Sequence, residues 1–266
     1  MKTCRTFLLS LLLLANTALA NTFTTDLTDL WWNAIESGWG VTLSHQGDFV
    51  FLTFFVYGTD NKPKFYTGQA TYVGRSSSNA LIFSGPLFET TGPWLGESIF
   101  NVTAVKARQV GMVTLTSFVA SATLEYSVDG VQVRKPIVRQ TLRQNNMTGN
   151  YLGAIYYVAS GCAPSSLNNT YVEPNTTFSI SNSATTLQIR TSNPATGTCT
   201  YTGTYEQAGR MGRSEGSFSC SNGAQGSYTA FEIEASYTGM TGRLQGRNGN
   251  CSSITGKFGG ITNSPP

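Results

Sequence analysis

The spacing of large side chains along this chain is that of β-strands. From residue 39 to residue 45, large side chains alternate with small or polar ones, which is the two-residue period of a strand. The segment Phe49–Tyr57 is apolar at almost every position, as expected for a strand that is buried on both faces. No window keeps the 3.6-residue spacing of an amphipathic helix. The sequence therefore predicts a protein built from strands.

Glycine, asparagine and proline separate further strand candidates in the first half of the chain. The pair Asp129-Gly130 is a strong signal for a short hairpin. Pro136 lies in the predicted strand 131–142. It should confine part of this strand to an edge or a bulge, because proline has no N–H to donate. The predicted strands after residue 57 cover residues 64–73, 80–89, 109–116, 120–128 and 131–142.

The second half repeats this pattern of short strands with regular turns. Each half offers roughly seven or eight strands, which is enough to close a small barrel. We therefore predict an all-β fold of two consecutive small antiparallel domains, each barrel-like (calycin-like) or a sandwich. The predicted strands of this half cover residues 149–158, 176–181, 185–190, 198–207, 216–221, 226–235, 239–245 and 254–259.

The chain starts like an exported protein. A short basic start precedes an apolar run from Phe7 to Ala15, and Ala18-Leu19-Ala20 has the small-x-small pattern that signal peptidases cleave. The run is shorter than the ~20 apolar residues that a membrane helix needs, and no later stretch is long enough. Residues 1–20 are therefore predicted to be a signal peptide, and the mature protein to be secreted or periplasmic without a membrane span.

The mature protein should be nearly neutral. Lys2 and Arg5 leave with the signal, so 17 Lys and Arg become 15 against 14 Asp and Glu, and the formal net charge falls from +3 to +1. No cluster of Lys and Arg occurs, and binding to nucleic acid depends on such clusters. We therefore expect no nucleic-acid partner.

Two markers divide the mature chain after residue 145. All four tryptophans precede the polar stretch 143–148, and all four mature cysteines follow it. We therefore place one domain at residues 21–145 and a second at residues 146–261. The short tail 262–266 is predicted to be disordered.

Two disulfides are expected, since an even number of cysteines remains in an exported chain once Cys4 has left with the signal. A hairpin around residues 208–211 would place Cys199 opposite Cys220. Cys162 and Cys251 would then join the first and last strands of the second domain. Four cysteines allow three pairings, so a sequential pairing, or one reduced pair, stays open.

One motif resembles a known type of module. Residues 30–40 read LWWNAIESGWG, and a Gln46-Gly47-Asp48 turn, the aromatic strand and a later Asp129-Gly130 hairpin follow. Residues 29–142 thereby resemble a bacterial secreted module with a WWN-x-x-ESGWG opening and a QGD turn, whose activity is unassigned. The resemblance implies export and architecture but no chemistry. The opening strand is also similar to those of calycin barrels such as avidin and lipocalins, which is a fold-level analogy.

Catalytic residues are sparse. His45 is the single histidine, and its place at the end of a strand favours a capping role. Glu36 and Asp48 flank one strand pair, and two carboxylates are what a glycosidase needs. A hydrolase using Glu36 and Asp48 is therefore the alternative to a non-catalytic protein. No pattern for a metal or cofactor is present.

The surplus of aromatic residues in the first domain points to binding. Aromatic side chains at a barrel mouth hold sugars or apolar ligands, although they also fill barrel cores. We therefore predict that an aromatic-rich face of the first domain binds a small apolar or saccharide ligand, or a partner protein. A structural or adhesive role through the outer face of Phe49–Tyr57 is a further alternative. The predicted ligand-binding residues are Trp31, Trp32, Glu36, Trp39, Tyr57, Tyr66 and Trp94.

Overall fold

A computed structural model describes residues 25–96 and 98–262. The predicted signal peptide and residues 263–266 of the predicted tail lie outside the described residues. Within the described part of the chain, no helix is both long and apolar enough to cross a membrane.

The first eight strands form a closed antiparallel barrel. Each strand pairs with the next one along the chain, and β8 returns to β1. A short 3₁₀ turn, Val102–Ala104, lies in the loop between β5 and β6. The strands are β1 Asp29–Trp32, β2 Gly40–Gln46, β3 Phe49–Tyr57, β4 Pro63–Arg75, β5 Leu81–Thr91, β6 Lys106–Ser117, β7 Ser121–Val128 and β8 Val131–Arg139.

The second eight strands form another closed antiparallel barrel, which β16 closes by pairing with β9. The predicted all-β fold of two consecutive antiparallel domains is thus confirmed, and both domains are barrels. The strands are β9 Gly149–Cys162, β10 Asn169–Asn182, β11 Thr186–Asn193, β12 Gly197–Ala208, β13 Met211–Cys220, β14 Gln225–Ser236, β15 Gly239–Asn248 and β16 Cys251–Ile261.

Two prolines fit into strands in different ways. β10 begins at Asn169, before the predicted residue 176, because a register shift after Pro174 and a positive φ of 56° at Asn175 absorb the break in a bulge. Pro136 lies within β8, whose registered pairs with β1 are confined to Val138 and Arg139. The missing N–H of Pro136 is thus accommodated where β8 lies beyond the end of β1.

The core of the first barrel is filled with large apolar side chains. Val50, Leu52 and Phe54 alternate along β3 and are completely buried, as a period of two requires. The other face of this strand is only partly covered, since Phe55 is 53% and Tyr57 60% exposed. Our expectation that both faces are buried is therefore wrong at the end of the strand.

Both barrels begin with the same local arrangement. In the first, the buried Trp31 donates its indole N–H to the carbonyl of Leu27, four residues earlier, at 3.0 Å. In the second, the Tyr151 hydroxyl donates to the carbonyl of Met147, also four residues earlier and at 3.0 Å. Leu27 and Met147 are themselves completely buried. Each barrel is thus closed at one end by an apolar residue and an aromatic ring whose polar atom is satisfied.

The two barrels contact each other through Arg210, in the turn between β12 and β13. Its backbone N–H donates to Asp29 at 3.0 Å, and its guanidinium donates to the Thr28 carbonyl at 2.9 Å and to Asp26 at 2.5 Å. Arg210 also forms an ion pair with Glu234 of its own barrel. The first barrel ends at Arg139 and the second begins at Gly149.

Both predicted disulfides are present. Cys199 pairs with Cys220 across β12 and β13, and the register also pairs Tyr201 with Phe218, as the symmetric hairpin predicts. Cys162 pairs with Cys251 and joins β9 to β16, the first and last strands of the second barrel. The hairpin prediction succeeds because the positions on two antiparallel strands are fixed once the turn is known.

Candidate functional site

The predicted aromatic site is divided between the core and the surface of the first barrel. Trp31 is completely buried and Tyr66 is 7% exposed, so both belong to the core. Trp32 is half-buried at the end of β1, whereas Trp94 lies in the loop between β5 and β6 and is 76% exposed. These four side chains therefore do not line one common cavity.

The remaining predicted residues meet at one end of the first barrel. Trp39 packs against the core and donates its indole N–H to Glu36 at 3.2 Å. Tyr57 lies across from Gly38, whose absent side chain would be 3.9 Å from the Tyr57 hydroxyl. Glu36, Trp39 and Tyr57 are thus neighbours around a turn.

Glu36 is held as a carboxylate in this turn. The Lys135 ammonium lies 2.8 Å from Glu36 Oε2, and this hydrogen-bonded contact lowers the pKa of Glu36 below its ordinary value. Burial opposes this effect by raising the pKa, and the weaker hydrogen bond from Trp39 lowers the pKa again, so that the net shift is downward. A general acid needs a raised pKa instead, so this arrangement fits a structural ion pair.

Glu36 and Asp48 lie at opposite ends of β2. Glu36 precedes the strand and Asp48 follows it, and seven residues at about 3.4 Å each span more than ~20 Å. Glycosidases need their two carboxyl groups within about 10 Å. The structure therefore does not bring the proposed carboxylate pair together.

His45 is engaged by the backbone on both ring nitrogens. Nδ1 accepts the Leu27 N–H at 3.1 Å, and Nε2 lies 2.8 Å from the Gly47 carbonyl oxygen. The proton is therefore on Nε2, since a carbonyl only accepts. With its side chain 5% exposed, His45 anchors the segment before β1 to the turn after β2.

An open cavity of about 370 Å³ lies inside the mouth of the second barrel. Its walls come from seven strands and from the loops at this end. They combine aromatic, aliphatic, amide and half-cystine side chains with one carboxylate. The lining residues include Ile155, Tyr157, Tyr171, Glu173, Cys199, Tyr201, Phe218, Cys220, Ala224, Tyr228, Leu244, Gly246 and Cys251.

Stacked aromatic rings form two walls of this mouth cavity. Tyr157 and Tyr171 stack with ring centres 4.9 Å apart and an interplanar angle of 18°. Tyr201 and Phe218 stack at 5.4 Å and 29°, and Tyr228 meets the edge of Tyr201 at 5.3 Å. Such flat, partly apolar surfaces with polar hydroxyls are suited to sugars, rings and alkyl groups.

Glycines on neighbouring strands leave the space that the rings and the cavity occupy. Gly256 is the partner of Tyr157, and a side chain at Gly256 would come within 2.8 Å of the Tyr157 Cβ. Gly216 and Gly246 flank Tyr228 on either side. Large side chains would close the mouth at these positions, as Leu and Phe fill the first barrel.

Glu173 is the single formally charged side chain among the described residues that line the mouth cavity. Its neighbour across the ladder is Ile155, which is buried, so Glu173 also faces the interior. The Tyr157 hydroxyl donates to Glu173 Oε1 at 3.4 Å. The interior of this barrel end therefore carries negative charge.

The tyrosines at the mouth are held in their neutral form. Burial raises the pKa of Tyr201 to about 12, and the charges of Glu173 and Tyr228 add to the effect. Burial also raises the pKa of Tyr157 strongly, again with a contribution from Glu173. The hydroxyls consequently stay available as hydrogen-bond donors over the physiological pH range.

The two disulfides stiffen the rim of the cavity. Cys199, Cys220 and Cys251 are among its lining residues. The loop between β9 and β10 is also fixed, because the Tyr171 hydroxyl donates to the Leu167 carbonyl at 3.2 Å and Asn168 accepts from the Cys162 N–H at 2.9 Å. A rigid rim lowers the entropy cost of binding a ligand.

Sequence reasoning missed this cavity because it followed tryptophan. The available signal was a period-two alternation of tyrosine or phenylalanine with glycine, cysteine or glutamate. It occurs at Tyr171-x-Glu173, Tyr201-x-Gly203 and Phe218-x-Cys220. Large and small residues that alternate on one face leave gaps in a barrel interior.

A second cavity, of about 490 Å³, lies between the barrels and is more polar. Its charged lining includes Asp26, Glu232, Glu234 and Arg243. These groups are already paired: Asp26 and Glu234 with Arg210, and Glu232 with Arg243 at 3.6 Å. Within the described residues, no group of three or more His, Cys, Asp or Glu could hold a metal ion.

Comparison with known proteins gives no family assignment. No protein-family model matches the sequence, and no curated protein matches it. A crystal structure of a "putative outer membrane protein" from Bacteroides fragilis is 14% identical, with a TM-score of 0.34 over 88% of this chain and 94% of that one. A protein of unknown function from the DUF3598 family of Nostoc punctiforme is 14% identical, with a TM-score of 0.24 over 84% and 88% of the two chains. Neither similarity is close enough to transfer a function.

Proposed function

We propose that this protein is an exported, non-catalytic binding protein that takes a small apolar or saccharide ligand into the mouth of the second barrel. The observation that carries the proposal is the open, aromatic-walled cavity of about 370 Å³. This volume lies in the range of pockets for small molecules. The proposal keeps the class of ligand that the sequence predicts but moves the site from the first barrel to the second.

Export is part of the proposal. The sequence of residues 1–20 supports it, and so do the two disulfides, because disulfides persist in oxidising compartments. Binding is preferred to catalysis because Glu36 and Asp48 flank opposite ends of β2, and because His45 is engaged by two backbone groups.

A ligand screen tests the site. We expect oligosaccharides, small apolar compounds or small ring compounds to raise the thermal unfolding temperature and to remain bound in native mass spectrometry. Tyr171→Ala should weaken binding roughly tenfold, since one ring of a stacked wall is lost. Tyr156→Ala is the matched control, because Tyr156 lies next to Tyr157 on β9 but is 46% exposed.

A variant that blocks the mouth provides the decisive comparison. Ala224 lines the rim of the cavity, directly before β14, and Ala224→Trp should fill the mouth while leaving the barrel core unchanged. Ligands that bind Ala224→Trp as well as they bind the unchanged protein would contradict the proposed site.

A second candidate function is binding of a partner protein through the outer face of β3 and β4. Phe55 and Phe65 are partners across this ladder and are 53% and 50% exposed, and Tyr57 on the same face is 60% exposed. Contiguous exposed aromatic residues are typical of interaction surfaces. If the partner is a second copy of this protein, as in the structural or adhesive alternative, sedimentation tests the proposal. We expect self-association that Phe55→Ser abolishes. A protein that stays monomeric at every concentration would count against self-association.

A further inference from the structure

We infer that the ligand of the mouth cavity carries a positively charged nitrogen, as an alkylamine or a quaternary ammonium group does. This inference rests on the proposed function and adds a requirement to its ligand, which must combine apolar surface with a cationic nitrogen. It combines two features of the second barrel: a carboxylate that faces the interior, and aromatic rings around it.

The charge of the cavity is the first step. Glu173 contributes a carboxylate, and within the described lining no Lys or Arg accompanies it. In the described part of the chain, the Glu173 carboxylate forms no ion pair, and the Tyr157 hydroxyl donates one hydrogen bond to it. A carboxylate can accept about four hydrogen bonds, so Glu173 can accept from a cationic donor in addition to Tyr157.

The aromatic walls are the second step. Tyr157, Tyr171 and Tyr201 surround the interior near Glu173, and their ring faces carry partial negative charge. Aromatic rings attract organic cations by this charge, more strongly where water is excluded. Glu173 and the rings therefore favour the same ligand charge, whereas a carboxylate or phosphate ligand would meet repulsion.

The choice of an organic rather than an inorganic cation follows from the lining. Ile155, Leu244 and Phe218 contribute apolar surface, which a strongly hydrated metal ion would not use. An alkylammonium group has apolar substituents for these side chains and a charge for Glu173. The cavity volume of about 370 Å³ limits the ligand to a small molecule.

Isothermal titration calorimetry with a pair of isosteres tests the inference. Phenyltrimethylammonium and tert-butylbenzene have nearly the same shape and differ in charge. We expect the cation to bind at least about tenfold more tightly than its neutral isostere. This comparison uses the unchanged protein, so it stays informative if a variant fails to fold.

Substitution of the carboxylate provides the second arm. Glu173→Gln keeps the size of the side chain, and we expect it to weaken binding of phenyltrimethylammonium roughly tenfold while the neutral isostere is unaffected. Glu206→Gln, on the exposed face of β12, is the matched control and should change neither.

The outcomes separate the inference from the proposed function. The inference of a cationic ligand is overturned if the two isosteres bind equally tightly. It is also overturned if neutral saccharides bind more tightly than the cation and Glu173→Gln leaves their binding unchanged. In either case the proposed function still stands if Ala224→Trp blocks binding. If Ala224→Trp has no effect on any bound probe, the proposed function fails as well.

Discussion

At the scale of single residues, the surroundings of an aromatic side chain decide what it does. Trp31 is a core residue because Leu27 accepts its N–H and because the Arg139 guanidinium lies 4.8 Å from its ring centre. Arg139 is itself buried and pairs with Asp29 at 3.0 Å. In contrast, Tyr157 and Tyr201 line a cavity, where burial and the nearby charge of Glu173 raise their pKa values.

Stability should fall in alkaline solution because of these tyrosines. An unfolded tyrosine ionises near pH 10.0, whereas Tyr201 keeps its proton in the fold up to about pH 12. The folded state therefore binds more protons in this window, so the stability that Tyr201 contributes is fully present below about pH 10 and is lost as the pH rises toward about 12. Urea unfolding between about pH 8 and pH 12 measures this, with phenolate absorbance to follow ionisation.

A substitution identifies the tyrosine responsible. Tyr201→Phe removes one titrating group, so it should lose less stability between about pH 10 and pH 12 than the unchanged protein does. Tyr237→Phe, whose side chain is 73% exposed, should behave like the unchanged protein. If the unchanged protein, Tyr201→Phe and Tyr237→Phe all lose the same stability at alkaline pH, the assignment of this loss to Tyr201 is contradicted.

At the scale of strands, the pairing of glycine with aromatic residues shapes the second barrel. Gly242 on β15 is the partner of Phe258 on β16, and an added Cβ would lie 2.4 Å from the Phe258 ring. Gly256 is likewise the ladder partner of an aromatic residue, Tyr157. The strands are thus predictable from their period, but the shape of the interior depends on which residues face each other across the ladder.

Gly242→Ala should destabilise the second barrel by about 1–3 kcal/mol, because the added methyl group overpacks the buried Phe258 ring. Gly249→Ala is the matched control, since a Cβ there meets nothing within 4 Å. Chemical unfolding of both variants measures the difference. Equal stabilities would show that Phe258 shifts freely and that the close contact has no cost.

At the scale of the whole molecule, two similar barrels are joined by a charged contact. Both barrels have eight antiparallel strands and the same opening arrangement of an aromatic residue bonded to a carbonyl four residues earlier. Arg210 then fixes one barrel against the other through Asp26 and Thr28. The connecting segment is tied down as well, since Gln207 donates to the Arg143 carbonyl at 2.9 Å.

Arg210→Ala should make the connecting segment more susceptible to protease. Arg143 is already exposed, but loss of the guanidinium contacts lets the barrels separate and frees the backbone around it, which raises the trypsin cleavage rate by about tenfold. Arg213→Ala is the matched control, because Arg213 pairs with Glu215 on its own strand. Mass spectrometry of the fragments measures cleavage after Arg143. Equal rates in both variants would show that Arg210 does not hold the barrels together.

The sequence by itself predicted an all-β fold of two consecutive antiparallel domains, most of the strands, and the disulfide pairing that the structure contains, although it left a sandwich and a sequential pairing open. These features depend on local periods and on turns, and antiparallel pairing transfers the position of a turn to the residues on either side of it. The hairpin around residues 208–211 shows this, because one turn placed Cys199 opposite Cys220.

Only the tertiary structure decided which barrel is filled and which is open. That outcome depends on the summed volume of side chains that converge from eight strands far apart in the chain. Tyr157 on β9, Glu173 on β10 and Tyr201 on β12 share one interior only when β16 pairs with β9 and closes the barrel. It likewise separated Glu36 from Asp48, because a strand that links two residues in sequence also holds them a strand length apart.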